Sequence, residues 1–245
     1  KVHSVLKDNA GNLWIAIYQK GVMMIPAQPN SFKYIGYKSI NKNIIGSNCI
    51  TSLCRDHEGI LWIGTDNDGI YGITTELKQK VHYAPHDSPS SVPSTVFGLY
   101  EDSEHNLWFG SYTNGLGRLD KKTGQCSYLQ NLTDKNGNRI QRVYDLVEDQ
   151  DKRLWIATMG AGLFYYDLKT GQSVYDPKFN AATKKYKWIS CLLYAGDNHL
   201  YVGTYDGIRC IDLSTDDFKT EEILSRHIIH SLYEDPQGNI WIGNS

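Results

Sequence analysis

No apolar run in this chain approaches the roughly 18 residues that a membrane-spanning helix needs. Nor does it carry a start methionine or a secretory leader. It opens at Lys1, one turn ahead of a repeat, and is expected to be a piece of something longer. The formal charge is only −2, with no long block of one sign, which argues against nucleic acid or an anionic membrane surface as partner. There is no C-x-x-C pair. The five cysteines, Cys49, Cys54, Cys126, Cys191 and Cys210, read as small buried hydrophobes. A metal cluster would need histidine or cysteine partners at ligand spacing, and none stand there. No cofactor is expected. No serine or cysteine has a base and an orienting acid at motif spacing, so no catalytic residue is assigned. Prolines number only seven, and no segment of useful length has a helical period.

What the chain has is one sentence, written repeatedly. Asp56-His57-Glu58-Gly59-Ile60-Leu61-Trp62-Ile63-Gly64-Thr65-Asp66-Asn67-Asp68-Gly69-Ile70 states it in full. Its anchor recurs at Trp14, Trp62, Trp108, Trp155, Tyr201 and Trp241, at intervals of 40 to 48 residues. A fixed period in that range marks a repeat architecture. Each copy predicts four short strands. The first has a small third residue in four of five copies (Ser52, Gly98, Cys191, Ser231), with Asp145 the exception, which suits a crowded innermost strand. A turn with Asp first and Gly fourth follows, as in Asp56 to Gly59 and Asp235 to Gly238, and has type I chemistry. Asp102 to His105 and Asp149 to Lys152 lack the glycine and should keep the geometry at a small cost in strain.

The second strand is Leu-Trp-Ile-Gly-Thr or a near copy. Trp62 and Gly64 share one face. Large beside small lets a neighbouring sheet approach, so Trp14, Trp62, Trp108, Trp155 and Trp241 read as packing between sheets. The third strand opens at glycine, and the fourth reads as a short, polar outer edge. Many four-stranded antiparallel repeats with both faces buried specify an all-β fold, the β-propeller. The blades fall at about 1–48, 49–95, 96–142, 143–188, 189–228 and 229–245. That is five complete blades and part of a sixth, expected to be an open segment of a seven-bladed propeller.

The sentence D-x-x-G-x-L-W-I-G-T-x-x-x-G-[IL] resembles the two-component regulator propeller repeat. Matching copies run Asp8 to Val22, Asp56 to Ile70, Asp102 to Leu116, Asp149 to Leu163 and Asp235 to Gly243. The fifth copy departs, with Ala195 for Asp and Tyr201 for Trp. The resemblance implies a periplasmic sensor region of a hybrid two-component histidine kinase of Bacteroides-type bacteria. It implies further blades and a kinase region in the parent chain, a phosphorelay, and an oligosaccharide signal. Direct membrane insertion by this segment is not expected; a homodimer is allowed. A propeller enzyme (lyase or hydrolase) and a protein interaction scaffold are the competing readings.

Propeller geometry places the turns after the second strand and the long loops between blades on one end. The ligand residues expected there are Tyr112, Asn114, Arg142, Trp188, Tyr205, Asp206, Asp66 and Asn67. His86, Thr113, Arg139 and Tyr186 lie in the same loops. Aromatic rings stack on sugar faces, while Arg, Asn and Asp bond hydroxyls or pair with acidic groups.

Overall fold

The computed structural model describes residues 2–9, 11, 13–17, 21–25, 27, 45–74, 79–134, 136–175, 187–215 and 217–245. The chain forms two compact units, residues 1–43 and 44–245. The first holds an antiparallel sheet of β1 (Val2–Lys7), β2 (Leu13–Ile17) and β3 (Gly21–Ile25). A fourth strand of this copy would fall among residues 28–44, which lie outside the described residues. So do the side chain of Trp14 and residue Tyr186.

The second unit is a run of sheets, each antiparallel and each in chain order. The second copy contributes β4 (Ile50–Arg55), β5 (Leu61–Thr65), β6 (Ile70–Ile73) and β7 (Gln79–Tyr83). The third contributes β8 (Val96–Glu101), β9 (Leu107–Ser111), β10 (Leu116–Leu119) and β11 (Cys126–Tyr128). The fourth contributes β12 (Val143–Glu148), β13 (Arg153–Thr158), β14 (Leu163–Asp167) and β15 (Gln172–Tyr175). The fifth contributes β16 (Ile189–Ala195), β17 (His199–Thr204), β18 (Gly207–Asp212) and β19 (Thr220–Ser225). The sixth is the two-stranded sheet of β20 (Ile229–Glu234) and β21 (Ile240–Asn244). The outer strand, expected short, reaches six residues in β19.

Both ends of the second strand are pinned, and the repeated sentence encodes the pins. At its start the Trp indole N–H donates to the turn aspartate six residues earlier: Trp62 to Asp56 at 2.8 Å, Trp108 to Asp102 at 2.7 Å, Trp155 to Asp149 at 2.7 Å and Trp241 to Asp235 at 2.9 Å. The other carboxylate oxygen accepts amides of the same turn, such as Ile60 at 2.8 Å and Asn106 at 2.8 Å. The fifth copy lacks both partners together, so neither is left unpaired. At the strand's end a buried hydroxyl donates back across the next turn: Thr65 to the Gly69 carbonyl at 2.9 Å, Ser111 to Gly115 at 3.1 Å and Thr204 to Gly207 at 2.9 Å. The turns without glycine keep their form, with His105 at φ +67° and Lys152 at φ +68°. That left-handed conformation costs a non-glycine residue about 1 kcal/mol.

The tryptophans pack as expected where a following blade covers them. Trp62 joins Leu99, Leu107 and Phe109 of the third blade. Trp108 joins Leu146, Leu154 and Ile156 of the fourth, and Trp155 joins Leu192, Leu200 and Val202 of the fifth. The small residue two places after the tryptophan does admit the next sheet. A Cβ on Gly110 would lie 2.4 Å from the Val143 carbonyl oxygen, and one on Gly64 3.0 Å from Val96 Cγ1. Trp241 departs from the expectation. It is 63% exposed, because no described residue covers its face of the sixth sheet. Among the cysteines, Cys126, Cys191 and Cys210 are buried and Cys54 is half-buried, but Cys49 is exposed. It precedes β4 and accepts the Asp66 amide through its carbonyl, so its backbone is engaged and its thiol is not packed.

Acidic residues at the ends of the innermost strands latch adjacent blades. Glu101 accepts the His57 amide at 2.6 Å, and Glu148 accepts the Ser103 amide at 2.6 Å. Neighbouring innermost strands run side by side, β4 with β8, β8 with β12, β12 with β16 and β16 with β20.

Candidate functional site at the axial mouth

The second residue of each innermost strand is the first element of the site. These residues are Thr51, Phe97, Tyr144, Ser190 and His230. The pairing register shifts at this place in every blade: between Ile50 and Ser52, Val96 and Leu99, Val143 and Asp145, Ile189 and Cys191, and Ile229 and Ser231. A bulge takes one residue out of the ladder and re-aims its side chain. All five, together with Tyr205, line one recess of about 200 Å³. The Thr51 hydroxyl donates to the Val96 carbonyl, and Ser190 donates to the Ile229 carbonyl at 2.5 Å. These two small residues therefore tie blade to blade, while the larger ones present rings.

The rings form a connected wall. Phe97 and Tyr144 stack with centroids 4.2 Å apart, and Phe97 meets Tyr112 edge-on at 6.1 Å. The Arg142 guanidinium lies 5.2 Å from the Tyr112 ring centroid. Tyr205, in the same lining, meets Trp188 edge-on at 5.6 Å. Tyr112, Trp188 and Tyr205 are 43%, 48% and 43% exposed, unusual for large aromatic side chains held in a cluster. Burial pushes the Tyr144 phenol above its ordinary value, the Tyr205 and Tyr112 hydroxyls add to this, and Arg142 opposes it.

Backbone bonds hold the wall. Arg142 sits at φ +50°, donates its amide to the Tyr112 carbonyl at 3.2 Å and accepts the Met159 amide at 3.0 Å. Trp188 accepts the Tyr205 amide at 3.3 Å and pairs with Met159. The residue before each of these innermost strands thus bridges the turns of two blades. Below the rim, Asp145 accepts the Leu192 amide of the next blade at 2.8 Å and its neighbour Leu146 at 2.9 Å. Burial raises its carboxyl to about 6 despite those bonds.

Of the eight residues expected from the sequence, Tyr112, Arg142, Trp188 and Tyr205 come together at this mouth. Asp206 follows Tyr205 in the same turn and is half-buried, its amide bound to Thr204 Oγ1 at 3.1 Å. Asp66 instead accepts the Thr95 hydroxyl at 2.7 Å, and the Asn67 amide donates to Ser94 at 3.0 Å, so both fasten a turn to the loop beside it. Asn114 borders a second, wider recess of about 480 Å³ with His86, Asp87 and Thr113. Its carbonyl accepts Arg139 at 3.3 Å. Sequence reasoning missed Phe97, Tyr144, Thr51, Ser190 and His230. A signal was present: their neighbours on the N-terminal side are all Ile or Val, while these five positions differ in every copy.

At the other end of the blades, His57, Glu101 and His105 form a group with metal-ligand chemistry that spacing along one copy did not reveal. The imidazoles stack 3.6 Å apart and His57 Nδ1 lies 2.8 Å from Glu101 Oε1. The Lys121 ammonium is also 2.8 Å from that oxygen. It stands where a cation would bind and holds Asp56 at 3.5 Å too, so the group acts as an ion-pair link between blades.

The stacked four-stranded sheets, with their innermost strands gathered on one recess, define a segment of a β-propeller. Four stretches of it match the family model of the two-component regulator propeller repeat: residues 44–67, 90–113, 137–160 and 223–245. No curated protein matches the sequence. Among solved structures, the extracellular domain of a protein of B. thetaiotaomicron described as a hybrid two-component system is similar at 21% identity. It covers 99% of this chain and 34% of that one, with a TM-score of 0.69. A second such domain from the same organism is 20% identical over 99% of this chain and 38% of its own, with a TM-score of 0.60. PorZ, a surface component of the type-IX secretion system of Porphyromonas gingivalis, is 12% identical over 97% and 36%, with a TM-score of 0.58. The chain thus spans about a third of the length of these three structures.

Proposed function

We propose that this chain belongs to the periplasmic sensor region of a hybrid two-component histidine kinase, and that its axial mouth takes a saccharide. The observation that carries this is the wall of partly exposed rings around a recess on the end where the variable turns emerge. A recess of about 200 Å³ is smaller than the roughly 300–1,000 Å³ usual for whole small-molecule sites. It suits one ring of a longer ligand, with the rim residues reaching the next. The repeats and the likeness to extracellular domains of such systems support the sensor reading. The remaining blades of a seven-bladed ring and the kinase region come from the parent chain in this reading.

The segment is taken as non-catalytic. Two serine–histidine pairs approach at 3.0 Å among the described residues: Ser245 Oγ with His230 Nε2, both exposed, and Ser91 Oγ with His86 Nδ1. The Ser91 hydroxyl is buried and also bonds the His86 amide and the Val92 carbonyl, so it braces a loop. For signalling, the ligand must bind two arrangements of the receptor with different affinity. The test is a thermal-shift screen of the full protein against oligosaccharides. A ligand at about 100 times its Kd adds about 2.7 kcal/mol of stability. A panel of dietary and host glycans that leaves the melting temperature unmoved refutes the saccharide reading.

A further inference from the structure

We infer that the saccharide of the axial mouth is an anionic one, whose carboxylate pairs with Arg142; this rests on the saccharide reading above. The guanidinium is placed, not merely exposed. Arg142 adopts a left-handed backbone that side chains other than glycine seldom take, and such conformations persist where surrounding structure over-determines them. Here the turns of the third and fourth blades do so, through the Tyr112 carbonyl and the Met159 amide. The result sets the guanidinium over the Tyr112 face, at one edge of the ring wall.

Among the described residues no carboxylate pairs with it. Two acids at this end of the blades are turned to other work. Asp66 accepts the Thr95 hydroxyl, and Asp145 accepts two backbone amides below the rim. A fork of N–H donors beside stacked rings is thus presented to the mouth. A planar guanidinium matches a carboxylate with two parallel hydrogen bonds. A uronic-acid ring offers both required surfaces: an apolar C–H face to lie on Tyr205 or Tyr144, and a carboxylate at its edge to meet Arg142. A neutral sugar would satisfy the rings and leave the fork bonded to water.

The experiment is isothermal titration calorimetry on the full protein. The probes are uronic-acid oligosaccharides and their carboxyl methyl esters, which keep the ring and lose the charge. The acid should bind about tenfold to a hundredfold more tightly than its ester, as a charge-assisted bidentate pair provides. Arg142→Gln should abolish that difference, bringing the acid down to the affinity of its ester. Arg142→Lys, which keeps the charge and loses the fork, should recover part of it. Acid and ester binding equally to the unaltered protein would overturn the inference and leave the saccharide reading standing. Equal weakening of both by Arg142→Gln, at an unchanged melting temperature, would overturn it as well. If no saccharide binds, acidic or neutral, the saccharide reading itself falls. The comparison of acid with ester needs no variant, so a folding defect in Arg142→Gln cannot mask the outcome.

Discussion

The pairing of Asp102 with Trp108 makes a quantitative prediction, because the chain contains its own control. Asp102 is buried and accepts the Trp108 indole at 2.7 Å, the Asn106 amide at 2.8 Å, the Glu104 amide at 3.0 Å and the Asn106 side chain at 2.9 Å. Asp102→Ala strands the indole N–H among Leu146, Leu154 and Ile156, where water cannot replace the carboxylate. An unsatisfied buried donor costs about 1–3 kcal/mol. The turn amides lie near the surface and find water, so the whole substitution should cost about 2–3 kcal/mol. Trp108→Tyr removes the donor and leaves one carboxylate oxygen to Asn106 alone, at a similar cost from lost packing and lost pairing. The double variant recreates the Ala195 and Tyr201 combination of the fifth blade, in which neither group is left alone. It should be less destabilised than the sum of the singles by about 1–2 kcal/mol, within the range seen for residues in direct contact. Urea unfolding reads this as a shift in midpoint at unchanged slope. Additivity within about 0.5 kcal/mol would refute the lock, and with it the explanation of why the two residues depart together in the fifth copy.

Other expectations follow from the same physics. Gly110→Ala places a methyl against the Val143 backbone and should destabilise by about 1–3 kcal/mol through overpacking, measured by the urea midpoint. Acid should unfold the protein below about pH 4. Burial acts to raise the Asp56 carboxyl, but the Trp62 indole, the Ile60 amide and Lys121 outweigh it and hold it low. A depressed carboxylate adds stability above its unfolded value and loses it as pH falls through the folded one, so a pH titration by circular dichroism should show that loss. Asp145 has the opposite sign: raised to about 6, it favours its protonated form when folded, and stability falls as pH rises from about 4 through 6. Carbon NMR of its carboxyl should show a midpoint near 6, and Asp145→Ser should flatten that part of the stability curve. Tyr205→Ala should weaken ligand binding with little change in melting temperature, since its ring is 43% exposed; a large stability loss would count against a binding role.

The sequence by itself determined the repeat, the strands, their order within each blade and the pattern of packing between blades. Local chemistry repeated at one period carries all of these: an aspartate that fixes a turn, a tryptophan six residues on, a glycine that admits the next sheet, and a hydroxyl that closes the following turn. The placement of Tyr112, Arg142, Trp188 and Tyr205 was also legible, because they stand in turns and loops that the architecture sends to one end. The recess itself was decided only by tertiary structure. Thr51, Phe97, Tyr144, Ser190 and His230 are separated by whole blades, and a strand pattern assigns the second position of a buried strand to packing. A bulge in each blade lifts that residue out of the ladder, and the gathering of five strands brings the lifted residues together. Asp66 and Asn67 differ for a like reason: the Thr95 hydroxyl bonds the Asp66 carboxylate and the Ser94 carbonyl takes the Asn67 backbone amide, so the loop beside their turn, not the sequence of the turn, decides how it is fastened.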